Sequence, residues 1–292
     1  MHVALLGLGL IGGSLARAVH AEGWRVTAWT PAGAGPRAAL EAGAIDVAAA
    51  SVGEAVADAD LVVLAAPPGA CLDLLDVLAQ GAPATLASGT VVTDVASTKA
   101  LLVARATALG LPFVGGHPMA GRETSGFAAA DAGLFRGRPW VVVAPDGAGE
   151  DAVARVEALA IACGAHPVRM SAADHDRAVA AVSHAPLVLA AALVEAMAGG
   201  PGEPPAAGWM SAAGLAASGW AGTTRLARGD AAMGAGIART NAGPLAARLR
   251  EVRGRLDEWL AILETAGADG LPDEAALRER FAAARARLEE GG

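Results

Sequence analysis

Apolar positions in the first 170 residues fall in short unbroken runs separated by stretches of helical length. Residues 3–6 (VALL), 25–29 (RVTAW), 61–66 (LVVLAA), 91–95 (VVTDV), 113–114, 140–144 (WVVVA) and 166–170 (HPVRM) read as strands. Helices are expected from the end of the first glycine cluster to about His20, then over 37–43, 70–80, 97–110 and 151–163, with Gly43 and Gly110 as C-terminal caps. Several runs are apolar at every position, which suits strands covered on both faces, and their alternation with helices predicts a doubly wound parallel sheet. Beyond about residue 171 the pattern turns helical and no strand is expected. Helices are predicted over 172–198, with a break near Pro186, and over 209–219, 230–241, 244–267 and 273–289, with a Gly/Pro loop at 199–208. No repeat of fixed period is visible.

One segment gives the first half its chemistry. Gly7-Leu8-Gly9-Leu10-Ile11-Gly12 follows the first strand and opens a helix. In that setting Gly7 permits the tight turn, Gly9 lets the backbone approach a pyrophosphate, and Gly12 lets the helix pack closely on the strand. The amide N–H groups at the helix start then face the phosphate charge. Gly7, Gly9, Leu10, Ile11 and Gly12 are therefore candidate cofactor-binding residues, and the expected cofactor is NAD or NADP. A glycine-rich turn that binds nothing is the alternative reading. The second strand of such a site ordinarily ends in an acid that holds the ribose hydroxyls. Here that end is Thr30, in WTPAGAGPR, and no acid occurs before Glu41. With Thr30 as a donor and Arg37 as a cation, NADP acceptance is expected. The fold class expected is α/β, with a Rossmann-type NAD(P)-binding domain over 1–170 and an all-helical substrate and dimerisation domain over 171–292.

Composition narrows the class further. The 292 residues suffice for two domains, and 54% hydrophobic against 18% charged excludes a disordered chain. A net charge of −8 gives no basic surface for nucleic acid. Cys71 and Cys163 lie singly in apolar runs, as reduced core thiols of a cytoplasmic protein would. No CxxC or Cys/His cluster suggests a metal. The apolar N-terminus lacks a basic stretch before it, so it does not read as a signal peptide. No unbroken run of about 20 apolar residues occurs, so no membrane span is expected.

At His117-Pro118-Met119-Ala120-Gly121-Arg122-Glu123-Thr124-Ser125-Gly126 the sequence resembles the prephenate/arogenate dehydrogenase family of tyrosine biosynthesis. Segments GLGLIGGSLA (7–16), GAIDVA (43–48), VTDVASTK (92–99), LFRGRPWVVV (134–143), ADHDRAVAAVSHAPLVLAAAL (173–193) and GWAGTTRLARGD (219–230) extend the resemblance along essentially the whole chain. It implies an oxidative decarboxylation. A hydride leaves C4 of a cyclohexadienol ring for the nicotinamide, the ring carboxylate leaves as CO2, and the ring becomes aromatic. The protein must supply a proton acceptor at the C4 hydroxyl, a cation for a carboxylate, and alignment of ring with cofactor.

The resemblance assigns the first role to His117, whose neutral imidazole suits it near pH 7. Otherwise His117 is a packed loop histidine. Ser97 matches a serine near the same hydroxyl and the nicotinamide, although a serine there also suits a helix cap. Glu123 matches an acid at the mouth of the site, or is a surface carboxylate. Arg225 matches the arginine that pairs with a substrate carboxylate, a task its planar guanidinium fits. His175 and His184 are expected to be structural, bonding between helices. Two departures stand where the substrate side chain is recognised: Leu187 replaces a second histidine of the family's SHLPH, and Trp220-Ala221-Gly222 replaces FRD before Thr223-Thr224-Arg225. They leave open whether prephenate or arogenate is the substrate. A homodimer through the helical domain is implied, with the site in the cleft between the two domains. The chain's length implies neither a C-terminal regulatory domain nor a preceding chorismate mutase segment. Two other readings stay open: another dehydrogenase built from a Rossmann and a helical domain, and a non-catalytic dinucleotide sensor. The lysine-dependent hydroxyacid dehydrogenases do not fit, because Lys99 is the sole lysine and lies in the first domain.

Overall fold

The computed structural model describes residues 1–81, 86–122, 124–267 and 269–290. They form two compact units, Met1–Leu245 and Ala246–Gly292. In the first unit β1 (His2–Leu6), β2 (Arg25–Trp29), β3 (Val47–Ala48), β4 (Leu61–Leu64) and β5 (Val91–Asp94) make a parallel sheet in the order β3-β2-β1-β4-β5. Strand side chains alternate between its faces. Val3, Leu5, Val26 and Val63 join one buried cluster and Ala4, Leu6, Val62 and Leu64 the other, so unbroken apolar runs are what this sheet needs. Helix α1 (Leu10–Ala21) packs on the first face; α3 (Val52–Val56), α4 (Pro68–Gly81) and α5 (Ala100–Ala108) pack on the second. Helix α2 (Ala34–Glu41) starts three residues before the expected 37. Strand β3 and helix α3, only two and five residues long, carry too little pattern to be seen in sequence.

The expected strand at 113–114 resolves into two features. Phe113 makes one parallel bridge to Val92 of β5, and the chain then leaves the sheet as β6 (Gly115–Pro118). This strand runs antiparallel to β7 (Pro139–Val143), which pairs in parallel with β8 (His166–Arg169), giving a separate three-stranded sheet. Glycine and proline are poor strand formers, so GGHP gave no strand signal. Gly116 has a steric reason: a Cβ there would lie 2.6 Å from the Asp94 carbonyl oxygen, so only glycine lets β6 cross the end of β5. Helix α6 (Glu150–Ala162) covers the second sheet.

Helix α7 (Ala172–Val179) and α8 (Ala185–Ala198) form one 27-residue helical run through a π-turn at Ala180–His184. Pro186 sits in the first turn of α8, where a missing N–H is tolerated. The run is long and apolar enough, by length and composition alone, to cross a membrane, which the sequence reading did not anticipate. Its His175, Asp176 and His184 are buried in polar contacts within the first unit. Then follow α9 (Trp209–Ala213), α10 (Ser218–Thr224), a 3-10 turn (Arg225–Arg228), α11 (Ala231–Thr240) and α12 (Ala242–Glu264). The second unit takes in most of α12 and α13 (Glu274–Glu290), where Trp259 meets the Phe281 ring at 4.8 Å and the Arg280 guanidinium.

Candidate active site

The sheet reverses its order between β1 and β4, and a crevice at such a switch point is where open α/β sheets bind ligands. Gly7 ends β1 at that point with φ +113°, and a Cβ there would lie 2.2 Å from the Ala65 carbonyl oxygen at the end of β4. A Cβ on Gly12 would lie 2.5 Å from the Gly7 carbonyl oxygen. These two glycines are required by the fold. Gly9 differs: its Cβ position has nothing within 4 Å among the described residues, although it stands at the N-cap of α1. An open position beside uncapped helix amides, with no acid in the first turn, fits an anionic phosphate group. Leu10 and Ile11 turn their side chains to the core cluster, so what they offer a ligand is backbone N–H.

Thr30, Gly33 and Arg37 form one turn at the end of β2. The Gly33 amide donates to Thr30 Oγ1 at 3.1 Å, and the Arg37 guanidinium lies 3.0 Å from the Gly33 Cβ position. The Cβ position of Gly35 lies 3.3 Å from the Leu8 carbonyl oxygen, so this turn is held against the glycine loop.

His117 enters from β6, opposite Val141 of β7. The chain after it is clamped to α1. The Cβ position of Gly13 lies 2.8 Å from the Phe127 ring, the Arg17 guanidinium lies 4.7 Å from that ring's centre, and the Asp131 amide donates to Ser14 Oγ at 2.9 Å. Below His117 is a fully buried ion pair, Lys99–Asp94, whose carboxylate also accepts the amides of Gly116 (3.1 Å) and Ala96 (3.0 Å). Burial raises the Asp94 carboxyl above its ordinary value, against the pull of Lys99 and those amides. The single lysine is thus structural and fixes β6 to the end of β5.

The helical segment supplies the rest. His117 Nδ1 lies 2.8 Å from His175 Nε2, and His175 Nδ1 lies 2.8 Å from Asp176 Oδ1. Asp176 accepts the Lys99 amide at 2.7 Å and the Ala100 amide at 2.9 Å, capping α5. Its backbone carbonyl accepts Asn241 Nδ2 at 2.8 Å, and that nitrogen lies 3.0 Å from His184 Nδ1. His175 therefore does more than join helices: its ring bonds the candidate base. Burial lowers the His117 imidazole well below the ordinary value, and the charges of His175, Lys99 and His184 push the same way. His184 is lowered to about 4, chiefly by burial and against the charge of Asp176. Burial acts to raise Asp176, but hydrogen bonds from His175 and the Ala100 and Lys99 amides outweigh it and hold the carboxyl below its ordinary value.

The expected residues are thus partly assembled. Ser97 follows Ala96 on the loop after β5 and His117 follows Gly116 on β6, the two residues whose amides Asp94 accepts, and Ser97 Oγ is buried with no partner among the described residues. Arg225 opens the 3-10 turn packed on α8 and is exposed. Glu123 lies outside the described residues. Lys99, Asp94, His175, Asp176 and Asn241 complete the network; the sequence marks His175 only as a structural histidine and Lys99 only as the sole lysine, and it does not single out Asp94, Asp176 or Asn241, although the adjacent His-Asp pair and a lone lysine five residues past Asp94 are available signals. Among the described residues no cluster of three His, Cys, Asp or Glu side chains is arranged to hold a metal.

Residues 15–169 match the nucleotide-binding domain of prephenate dehydrogenase, and residues 171–276 match its dimerization domain. The chain is 37% identical over 198 residues to the prephenate dehydrogenase of Bacillus subtilis, an alignment covering 66% of this chain and 52% of that protein. It is 33% identical to the cyclohexadienyl dehydrogenase of Zymomonas mobilis, over 68% of each chain. The chain spans about half the length of the first curated relatives it matches. The solved arogenate dehydrogenase of Synechocystis is 28% identical, with a TM-score of 0.78, over 99% of this chain and 100% of that one.

Proposed function

The chain belongs to the prephenate dehydrogenase family, and from that premise we propose that it oxidatively decarboxylates prephenate to 4-hydroxyphenylpyruvate with NAD or NADP. One observation carries the reading: the network behind His117 leaves Nε2, with no hydrogen-bond partner among the described residues, free to accept a hydroxyl proton.

Bound at the glycine loop, the dinucleotide supplies a hydride acceptor. Gly7 and Gly12 shape the loop, Gly9 leaves room for the pyrophosphate, and the first amides of α1 face its charge. His117 Nε2 accepts the hydrogen bond of the substrate's C4 hydroxyl and stabilises the carbonyl character that C4 gains as hydride leaves. The bond from the ring to its carboxylate then breaks, its electron pair completes the aromatic ring, CO2 departs, and the proton shared with His117 stays with the phenol oxygen. Ser97 Oγ is a buried donor beside this centre, suited to hold the hydroxyl and the nicotinamide amide in line. Arg225 pairs with a substrate carboxylate. The turn of Thr30, Gly33 and Arg37 offers a donor and a cation and no acid, which favours acceptance of a 2′-phosphate.

Arogenate is the second substrate reading, favoured by the full-length similarity to the Synechocystis enzyme. Exposed apolar side chains at Val182, Met210 and Leu215 (72%, 81% and 84% exposed) and the dimerization-domain match support a homodimer. The test is absorbance at 340 nm with prephenate and L-arogenate, each crossed with NAD and NADP. Reduced cofactor with either substrate is expected. Folded protein that binds cofactor but reduces none in all four mixtures overturns the reading and points to a dinucleotide sensor.

A further inference from the structure

We propose that Asp176, acting through His175, is the positioning residue that fixes His117 with its lone pair on Nε2. The catalytic consequence rests on the dehydrogenase reading; the geometry does not. Asp176 is almost wholly buried, and three polar groups besides His175 immobilise it: the Lys99 and Ala100 amides on its carboxylate and Asn241 on its carbonyl. A carboxylate can only accept. The proton of neutral His175 is therefore on Nδ1, 2.8 Å from Asp176 Oδ1, and the lone pair of Nε2 faces His117. At 2.8 Å from that lone pair, His117 Nδ1 has to carry the proton of its own ring. The remaining nitrogen, Nε2, is left as an acceptor. Reversing either ring would set two lone pairs or two N–H groups against each other at hydrogen-bond distance.

The other charged or titratable groups around His117 do not substitute for this control. Lys99 is neutralised by Asp94 beneath β6, and His184 is engaged by Asn241 across the π-turn. Both disfavour a proton on His117 without selecting which nitrogen keeps it. Among the described residues, selection comes only from the directed contact with His175. Its ring stands edge-on to His117, 5.0 Å between centres and 76° between planes, which fixes ring orientation as well as tautomer. As the substrate hydroxyl shares its proton with Nε2, the growing imidazolium charge is relayed to His175 and answered by Asp176.

The experiment compares wild type with His175→Phe, His175→Gln and Asp176→Asn. His175→Phe leaves Asp176 free to cap α5, and His175→Gln restores an oxygen that can accept from His117 Nδ1. Nitrogen-15 NMR of the His117 ring in the cofactor-free protein reads the tautomer directly. Wild type and His175→Gln should show an unprotonated Nε2; His175→Phe and Asp176→Asn should shift protonation towards Nε2. With the turned-over substrate and cofactor, the latter two should lose about 100-fold in kcat with KM changed less than about twofold, and His175→Gln should recover most of it. An unprotonated Nε2 in His175→Phe, or equal losses in His175→Phe and His175→Gln, overturns the proposal. A wild type inert towards every substrate and cofactor pair would overturn the dehydrogenase reading, and the tautomer measurement would still decide the positioning role.

Discussion

Replacing Lys99 with methionine tests the energetic core of the site. Lys99 and Asp94 have no exposed side-chain surface. Methionine fills nearly the same volume, so the change removes a charge and little packing. Asp94 keeps the Gly116 and Ala96 amides but loses its cation. Breaking a buried pair from one side costs about 3–5 kcal/mol, because the charge left behind has no compensation. For a unit of this size each kcal/mol shifts the melting midpoint by about 2–4 °C, so a fall of roughly 6–20 °C is expected. The pH dependence sharpens the test. Asp94 already sits above its ordinary value, and losing Lys99 raises it further. A folded-state carboxyl raised above its unfolded value gives stability that is greatest at low pH and falls as pH rises through the gap. Lys99→Met should therefore be less destabilised at pH 5 than at pH 7. Urea and thermal unfolding of Lys99→Met, Asp94→Asn and the double variant complete the cycle, with the double variant more stable than the sum of the singles. A loss below about 1 kcal/mol in Lys99→Met, or strict additivity, would refute the assignment of the pair as what secures β6.

Three further outcomes follow from other parts of the structure. Gly7→Ala should destabilise by about 3 kcal/mol or more, since its Cβ meets a backbone oxygen at positive φ, whereas Gly9→Ala should melt like wild type yet bind NAD and NADP weakly by calorimetry. His184, at about 4 in the folded protein against 6.5 unfolded, refuses a proton the unfolded chain takes; stability should fall by up to about 3 kcal/mol as pH drops from 6.5 towards 4, read from urea midpoints, and His184→Asn should flatten that loss. Arg37→Ala should weaken NADP at least about tenfold while changing NAD less than about twofold, measured as kcat/KM for each cofactor.

The parallel sheet was legible because its strands are buried on both faces, and continuous runs such as VALL and LVVL survive in a chain rich in alanine. The glycine loop was legible because each glycine answers a separate steric demand. Strand β6 was not, since GGHP is selected by the crossing over Asp94 and not by strand propensity. The role of His175 was hidden for a related reason. Its partner lies 58 residues away, and helical periodicity says which residues share a face but not which atom meets it.

The change of pattern near residue 171 and the compact unit ending at Leu245 describe different things, and the site explains the difference. The helical segment shares no strand with the sheets, so sequence pattern changes where strands stop. Yet Asp176 caps α5, Asn241 holds Asp176, Thr240 Oγ1 meets Thr98 Oγ1 at 2.9 Å, and Gly236 lies so close to Pro68 that a Cβ would touch it at 3.4 Å. The hydrogen bonds tie α7 and the end of α11 to the loop between β5 and α5 that carries Ser97, and the Gly236 contact seats α11 on the start of α4. Asp176 thus both joins the helical segment to this loop and, through His175, orients His117. A substitution that loosened this junction would remove the base's tautomer control before it removed the base, so activity should fail at denaturant concentrations where the parallel sheet still stands.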